Sequence, residues 1–419
     1  MTSTTIQTKQ QNGLMPKLSQ HNIPTKQVLV TIESIATGTP DNIIPQTDAA
    51  QFVANLRNLD RNRERIAKIY KNTRIEQRHL AINLLSEETY EFSRKPGTIQ
   101  ERMEMFEEYA LPLAEKVAKK ALKSAEVSTV PGDCLYSKNI EDTIGLIVFV
   151  TSTGFVAPGI DAKLIKSLGL KRNIARIPIH FMGCAAAMNG LRVACNYVKA
   201  NPSQKALVVC LELSSINAVF EDNINDVIIH SIFGDGCAAV VLGAKEENML
   251  RGHGKIVIKD NFSYLVEDTE DGIRLGITDN GITCKLSRDL PEYIEAGLSP
   301  VINNFLAEHQ LTKEEIDLWA VHPGGTRIIE KAQSSLGLND EQVADSWEIL
   351  RQHGNMLSCA ILFVIERIII RLEQESLRLE KIPLSDSPNK GNPLPEKMTG
   401  ISFSFAPGIG VEGILFEKY

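Results

Sequence analysis

Cys184 sits in "IPIHFMGCAAAMNGLRVACNY", residues 177–197, with a glycine before it and three alanines after it. A β-branched apolar run precedes the thiol and a helix-forming run follows, which places it at a strand-to-helix junction. The unpaired amides and the dipole at a helix N-terminus favour an anion, and so a thiolate nucleophile. Gly183 and Ala185 to Ala187 would leave a substrate room to approach. A buried structural thiol is the alternative, and it is the reading taken for Cys195, Cys210 and Cys237. His322 follows the apolar run "IDLWAV" and precedes "PGG", at a strand end of the kind where α/β folds place reactive groups. Alone it reads equally as a hydrogen-bonded structural histidine. Asn355, in the "HGN" ahead of an apolar helix, is either an N-cap or an amide donor aimed into a cavity. Together the three side chains can run acyl chemistry: a thiolate takes the acyl group, His supports it, and His with Asn donates to an oxyanion. Residue types alone leave acyl transfer to carbon and hydrolysis both open.

Strand-like and helical runs alternate around these residues. "QVLVTIESIATG", "TIGLIVFVTSTG", "IARIPIHFM", "KALVVCLELSS" and "GDGCAAVVLGA" read as strands in the first half, with a long helix over "TIQERMEMFEEYALPLAEKVAKKALKSAEV" and another from Ala185 to near Pro202. In the second half "IDLWAVHPGG" is a strand and turn, "TRIIEKAQSSLGL" and "HGNMLSCAILFVIERIII" are helices, and "GISFSFAPGIGVEGILFEKY" is two strands about a Gly/Pro loop. The alternation predicts an α/β protein with helices covering sheets. Two comparable halves suggest an internal duplication, although no sequence repeat is evident. "PLSDSPNKGNPLPEKMTG" reads as an exposed loop.

The chain has 419 residues, enough for two domains or a fused pair. A net charge of −7 argues against broad binding to nucleic acid or an anionic membrane. Seven cysteines, an odd number without a CxxC pair, fit reduced, cytoplasmic usage with no disulfide framework and no zinc or other metal site. The polar N-terminus, residues 1–26, has no signal-peptide core and reads as a disordered tail. "CAILFVIERIIIRL" carries Glu366 and Arg367 and is too short to span a bilayer.

The motifs "GCAAAMNGLR", "FGDGCAAVVLG", "VHPGGTRIIE", "HGNMLS" and "SFAPGIGVEG", in this order and spacing, resemble the type III polyketide synthases, the chalcone synthase-like condensing enzymes of the thiolase fold. The resemblance runs from about residue 27 to the C-terminus. It implies two related α/β halves, 27–250 and 251–419, in a five-layered αβαβα core, and a homodimer with a tunnel that admits pantetheine. It makes Cys184 the acyl-bearing nucleophile, and His322 with Asn355 the pair that promotes malonyl-CoA decarboxylation. No metal or redox cofactor is implied; the substrates are CoA thioesters, with acyl carrier protein as a possible alternative carrier. Phe233 corresponds to an aromatic gatekeeper, Arg65 and Lys68 to cations for CoA phosphates, and Pro407 with Gly408 to the terminal loop at the substrate site.

Several positions depart from the plant pattern. Cys284 replaces a second gatekeeper Phe, Leu275 a Gly, Leu357 a Ser, Ser214 and Asn217 a Thr pair, and Ala157 a Met that reaches into the partner's cavity. Space gained at the entrance and apolar lining added elsewhere point to an aliphatic rather than a coumaroyl starter, with an alkylpyrone, alkylresorcinol or acylphloroglucinol as product. Loss of a hydroxyl at Leu357 favours lactone or Claisen closure. Three other readings are weighed: a single-condensation ketoacyl-ACP synthase, a cysteine hydrolase and a non-catalytic partner. Malonyl-CoA separates the second, because a condensing enzyme releases CO2 and a hydrolase gives malonate.

Overall fold

The structure, a computed structural model, describes residues 28–56, 63–87, 89, 97–127, 139–218, 224–247, 250, 255–380, 395 and 397–419. The N-terminal tail, Cys134 and most of the proline-rich loop lie outside them.

Nine strands form one sheet. In chain order they are β1 (Val28–Gly38), β4 (Ile144–Thr151), β5 (Ala175–His180), β6 (Lys205–Leu213), β7 (Asp235–Glu246), β8 (Ile256–Leu265), β11 (Leu318–Val321), β12 (Met398–Ala406) and β13 (Gly410–Lys418). Two small ribbons supply the other numbers: β2 (Asn42–Pro45) pairs with β3 (Gln77–Leu80), and β9 (Ile273–Thr278) with β10 (Gly281–Leu286). The order β11-β12-β13-β8-β1-β7-β6-β4-β5 shows a repeat that the sequence hides. Outward from the centre, β1-β7-β6-β4 and β8-β13-β12-β11 follow the same pattern, and β5 extends the first set. The halves join through only three residue pairs, from Val30–Ile258 to Ile32–Ile256.

Helices make the remaining layers. Ala186–Ala200 and Ser358–Glu380 lie between the two halves of the sheet, sharing one core with Val148, Val208, Val240 and Ile414. Ile99–Val127 covers the outer face of the first half, and Leu290–Glu308 with Thr326–Leu336 covers that of the second. This is a five-layered arrangement. β4 is buried at all eight positions, as expected of a strand covered on both faces.

Packing corrects one expectation. Ala185, Ala186 and Ala187 are fully buried, and the latter two belong to the central core. A Cβ at Gly190 would meet Val150 and Val208 at 3.1 and 3.2 Å. The small residues after Cys184 therefore let a helix fit between two sheets; only Gly183 borders open space.

Candidate active site

The nucleophile segment leaves β5 through a tight turn. Phe181 and Gly183 both take left-handed backbone conformations, with φ of 58° and 56°. Cys184 then falls in a single 3-10 turn, Gly183–Ala185, immediately before the helix Ala186–Ala200. The Gly183 amide donates to Ser152 Oγ at 3.1 Å, fixing the turn to the end of β4.

His322 follows β11, and its amide donates to Phe403 O on β12 at 3.1 Å. A Cβ on Gly324 would stand 3.1 Å from the imidazole, so the glycines after His322 keep space beside its ring. Asn355 arrives on a turn in which Gly354 has φ of 70°, its amide donating to Ile232 O at 2.9 Å. The Asn355 amide is engaged at both ends, although the helix begins at Ser358 and Asn355 is not its N-cap. Its Oδ1 accepts from the Leu357 amide at 2.8 Å, ordering the start of the helix Ser358–Glu380, while Nδ2 donates to Gly324 O at 3.1 Å and faces Cys184 Sγ at 3.7 Å.

Cys184, His322 and Asn355 thus line one cavity of about 400 Å³. It is a place hostile to charge. Burial pushes the Cys184 thiol well above its ordinary value, against a smaller opposing contribution from the Asn355 hydrogen bond. Burial therefore works against the thiolate that the helix terminus favours. Burial likewise lowers His322 to about 3, so the imidazole is neutral at physiological pH. Both of its ring nitrogens are buried without a hydrogen-bond partner, and no hydrogen bond joins it to Cys184. A neutral histidine with free nitrogens and an amide N–H facing sulfur form a donor and acceptor set, ready for a thioester oxygen.

Family models for chalcone and stilbene synthases match in both halves, the N-terminal domain over residues 19–246 and the C-terminal domain over 258–418. The chain belongs to this family of type III polyketide synthases. It is 45% identical over 389 residues to the alpha-pyrone synthesis polyketide synthase-like protein Pks18 of Mycobacterium tuberculosis, covering 93% of this chain and 91% of that one. A putative chalcone synthase of Bacillus subtilis is 31% identical over 80% of this chain and 89% of its own. The crystal structure of PKS-I from the brown alga Ectocarpus siliculosus matches with a TM-score of 0.83 at 39% identity, over 94% of this chain and 100% of that one. The synthase is thus an acyl-transferring enzyme with a thiolase-like α/β fold.

Two small compartments share lining residues with the Cys184 cavity. Phe233 borders the Cys184 cavity and both smaller compartments, of about 40 and 30 Å³. Its backbone bridges to Asn355, so the Phe233 ring and the Asn355 amide share one support. Leu275, Cys284 and Leu357 border both the main cavity and the compartment of about 40 Å³. Leu275 and Cys284 are cross-strand partners in the β9–β10 hairpin, which places both replaced positions on one wall.

Other predicted positions fall elsewhere. Ser214 and Asn217 line the compartment of about 40 Å³ rather than the Cys184 cavity. Both ends of the Asn217 amide are engaged, Nδ2 to Thr153 O at 2.8 Å and Oδ1 from the Ile282 amide at 3.1 Å; it ties the hairpin down. Pro407 and Gly408 stand behind the wall: Pro407 lies 3.4 Å from where a Gly183 Cβ would be, and the Gly408 amide donates to Ile273 O at 2.9 Å. Arg65 and Lys68 are exposed on the helix Arg63–Asn72 and do not line the cavity; Ile69 and Asn72, on the same face by spacing, do. Ala157 is exposed.

Sequence reasoning passed over Glu212, Arg78 and two cations at the cavity edge, Arg288 and Arg327. Glu212 is fully buried beneath the nucleophile turn, accepting from the Ser152 amide at 2.9 Å and from the hydroxyls of Thr153 and Ser358. A lone carboxylate inside the apolar run "KALVVCLEL" was its signal. Among the described residues no group of His, Cys, Asp and Glu is placed to hold a metal, all six cysteines are free, and no helix is long and apolar enough to cross a membrane.

Proposed function

We propose that the synthase loads an aliphatic acyl group from CoA onto Cys184 and extends it with malonyl-CoA to an alkyl α-pyrone. The observation that carries this is the union of Cys184, His322 and Asn355 in a cavity walled by Leu275, Leu357 and Ile229. His322 draws the proton from the thiol as sulfur attacks the starter thioester, the C–S bond to CoA breaks, and the imidazolium returns the proton to the departing CoA thiolate. With the acyl group in place, His322 and the Asn355 Nδ2 donate to the thioester oxygen of malonyl-CoA. Its C–C bond breaks, CO2 departs, and the electron pair moves into an enolate held by those donors. The enolate carbon attacks the Cys184 thioester carbonyl and the bond to the Cys184 sulfur breaks, leaving the extended chain on CoA; the freed Cys184 sulfur then attacks that thioester, releasing CoA, for the next round.

Leu357 presents no hydroxyl to the chain, which favours closure through an enol oxygen onto the thioester. The name of the mycobacterial relative, with its α-pyrone product, supports the same outcome. The proposed steps use only the two thioesters and these side chains, without metal or redox cofactor. A second copy of the chain would cover the edge strand β5, where Ile177 is exposed, beside Phe155 at 57% exposure.

Products from malonyl-CoA with a panel of straight-chain, branched and aromatic acyl-CoA starters, identified by mass spectrometry, test the reading. Alkylpyrones from straight-chain starters are expected, at least about tenfold faster than any coumaroyl product; the reverse preference would overturn the assigned starter class.

A further inference from the structure

We propose that Arg102 is a positioning residue for starter selection: it seats the tip of the β9–β10 hairpin and so sets where the wall formed by Leu275 and Cys284 stands. Arg102 borders neither the Cys184 cavity nor the two small compartments. The hairpin bridges the two halves of the chain. Its base belongs to the second half, where the Gly408 amide donates to Ile273 O and the Ser287 amide to Gly272 O, both at 2.9 Å. Its tip rests on the first half. The Ile99 amide, at the start of the helix Ile99–Val127, donates to Asp279 O at 2.8 Å. Gly281 lies against the stem of Arg102, one turn into that helix: a Cβ there would stand 2.8 Å from Arg102 Cδ, and its φ of 143° is one that L side chains rarely adopt. Arg102 is buried, and its Nη1 donates to Ile216 O in the 3-10 turn Ser214–Asn217, the same turn whose Asn217 accepts from the Ile282 amide.

Between base and tip stand Leu275 and Cys284, each three residues from the tip end of its strand, roughly 10 Å along the ribbon. Leu275 Cδ1 lies 3.7 Å from where a Gly183 Cβ would be, so this wall stands against the nucleophile turn. A two-stranded ribbon has little stability of its own, and the supports at its ends fix its line. Asn225 Nδ2 donates to Cys284 O at 3.0 Å and ties β10 sideways, so a displaced tip is felt most in β9, which carries Leu275. Pockets discriminate acyl chains by the methylene, at about tenfold or more for each. A shift of the wall by a fraction of a methylene therefore changes which starter fits, while Cys184, His322 and Asn355 keep their own supports. Arg102 acts on the starter through the hairpin, from outside the cavity.

The proposal rests on the loading of Cys184 from acyl-CoA given above, and not on the starter class. kcat/KM is measured with malonyl-CoA for straight-chain acyl-CoAs from butanoyl to dodecanoyl and for aromatic acyl-CoAs, in the wild type, Arg102→Met, Arg102→Lys and Gly281→Ala. Arg102→Met keeps a stem beneath Gly281 and removes the donor to Ile216 O, whereas Gly281→Ala strains the tip from the other side. In both, the ratio between the best starter and those one step shorter or longer should change by at least about fivefold. Arg102→Lys retains stem and charge, and its profile should lie between the wild type and Arg102→Met. Taking ratios within each variant cancels any loss of folded enzyme. CO2 release from malonyl-CoA without a starter, per folded enzyme, should stay within about twofold of the wild type, since the catalytic side chains are distant from the substitution. An unchanged profile in Arg102→Met and Gly281→Ala, with all starters falling together, would show a structural role only and overturn the proposal. A loss of CO2 release as large as the change in profile would assign Arg102 to support of the catalytic side chains and overturn it too. Turnover of aromatic starters alone would overturn the aliphatic reading and not this one, because the aromatic profile still reads the wall; no turnover of any acyl-CoA by the wild type would overturn both.

Discussion

Glu33 on β1 and Glu212 on β6 are carboxylates buried in the same sheet, 4% and 0% exposed, and they come to opposite ends. Burial raises both. Around Glu33, attraction from Lys205, the hydroxyl of Thr31, and then Lys255 and Lys245 outweigh it and hold the acid below the ordinary range. The three ammonium groups lie 3.6–4.0 Å from one carboxylate oxygen. Around Glu212 every donor is neutral: Ser358, the Ser152 amide and Thr153. They lower its pKa but do not prevail, and it rises to about 7. Neutral dipoles do not replace a counter-ion in low dielectric. The contrast explains the nucleophile end of the molecule, where Cys184 and His322 are both driven toward their neutral forms. Nothing there stabilises a standing charge, and a charge formed during reaction depends wholly on the few donors aimed at it.

The largest test of that view replaces such a donor by a charge. Asn355→Asp keeps the shape, removes the N–H that faces sulfur, and sets a carboxylate where the enolate must form. Decarboxylation of malonyl-CoA, followed as CO2 release, should fall about a thousandfold. A loss under tenfold would show that the neutral pocket does not rely on this amide.

Much of this architecture was legible in the sequence, and the reasons differ by region. β1, β4, β6 and the helix Ile99–Val127 were plain because burial on one or both faces writes itself into apolar periodicity. Cys184 and His322 stood after strands and Asn355 between two helices, each near a glycine whose backbone conformation the structure then displayed. The hairpin β9–β10 went unread, since its strands are half exposed and carry no alternation. The effect of burial on the thiol could not be read, because burial by distant segments is a tertiary quantity, whereas a helix terminus is a local one. The duplicated strand order was invisible for the same reason: it resides in pairing, not in residue identity.

A smaller pair of effects should separate the two carboxylates by pH. Glu33→Gln leaves three partly buried lysines without their counter-ion and should cost about 3 kcal/mol. Because the Glu33 pKa is depressed, its contribution is present above about 4.5 and is lost only as pH falls below, so the deficit should be equal at pH 5 and pH 8. Glu212 has the opposite sign. Its pKa is raised from 4.5 to about 7, so stability declines as pH climbs through that window, by up to about 3 kcal/mol. In Glu212→Gln the amide N–H can donate to the Ser358 hydroxyl, and this decline should vanish. Urea unfolding at pH 5 and pH 8 measures both; a Glu212→Gln variant with unchanged pH dependence would break the comparison.

The finest test asks how much one neutral dipole contributes at Glu212. Ser358 is fully buried, its hydroxyl donates to Glu212 Oε1, and it is the strongest single influence lowering the pKa of that acid. In Ser358→Ala the other carboxylate oxygen keeps the Ser152 amide and the Thr153 hydroxyl, so the group is weakened and not orphaned. A hydrogen bond to a neutral group contributes about 1 kcal/mol and one to a charged group about 2 kcal/mol. At pH 5, where Glu212 is protonated, the variant should therefore lose about 1 kcal/mol. At pH 9, where the carboxylate is ionised, the loss should be about twice that, and the Glu212 pKa should move further upward. Equal losses at the two pH values would mean that Glu212 does not change charge between them, and the neutral character assigned to this end of the sheet would have to be withdrawn.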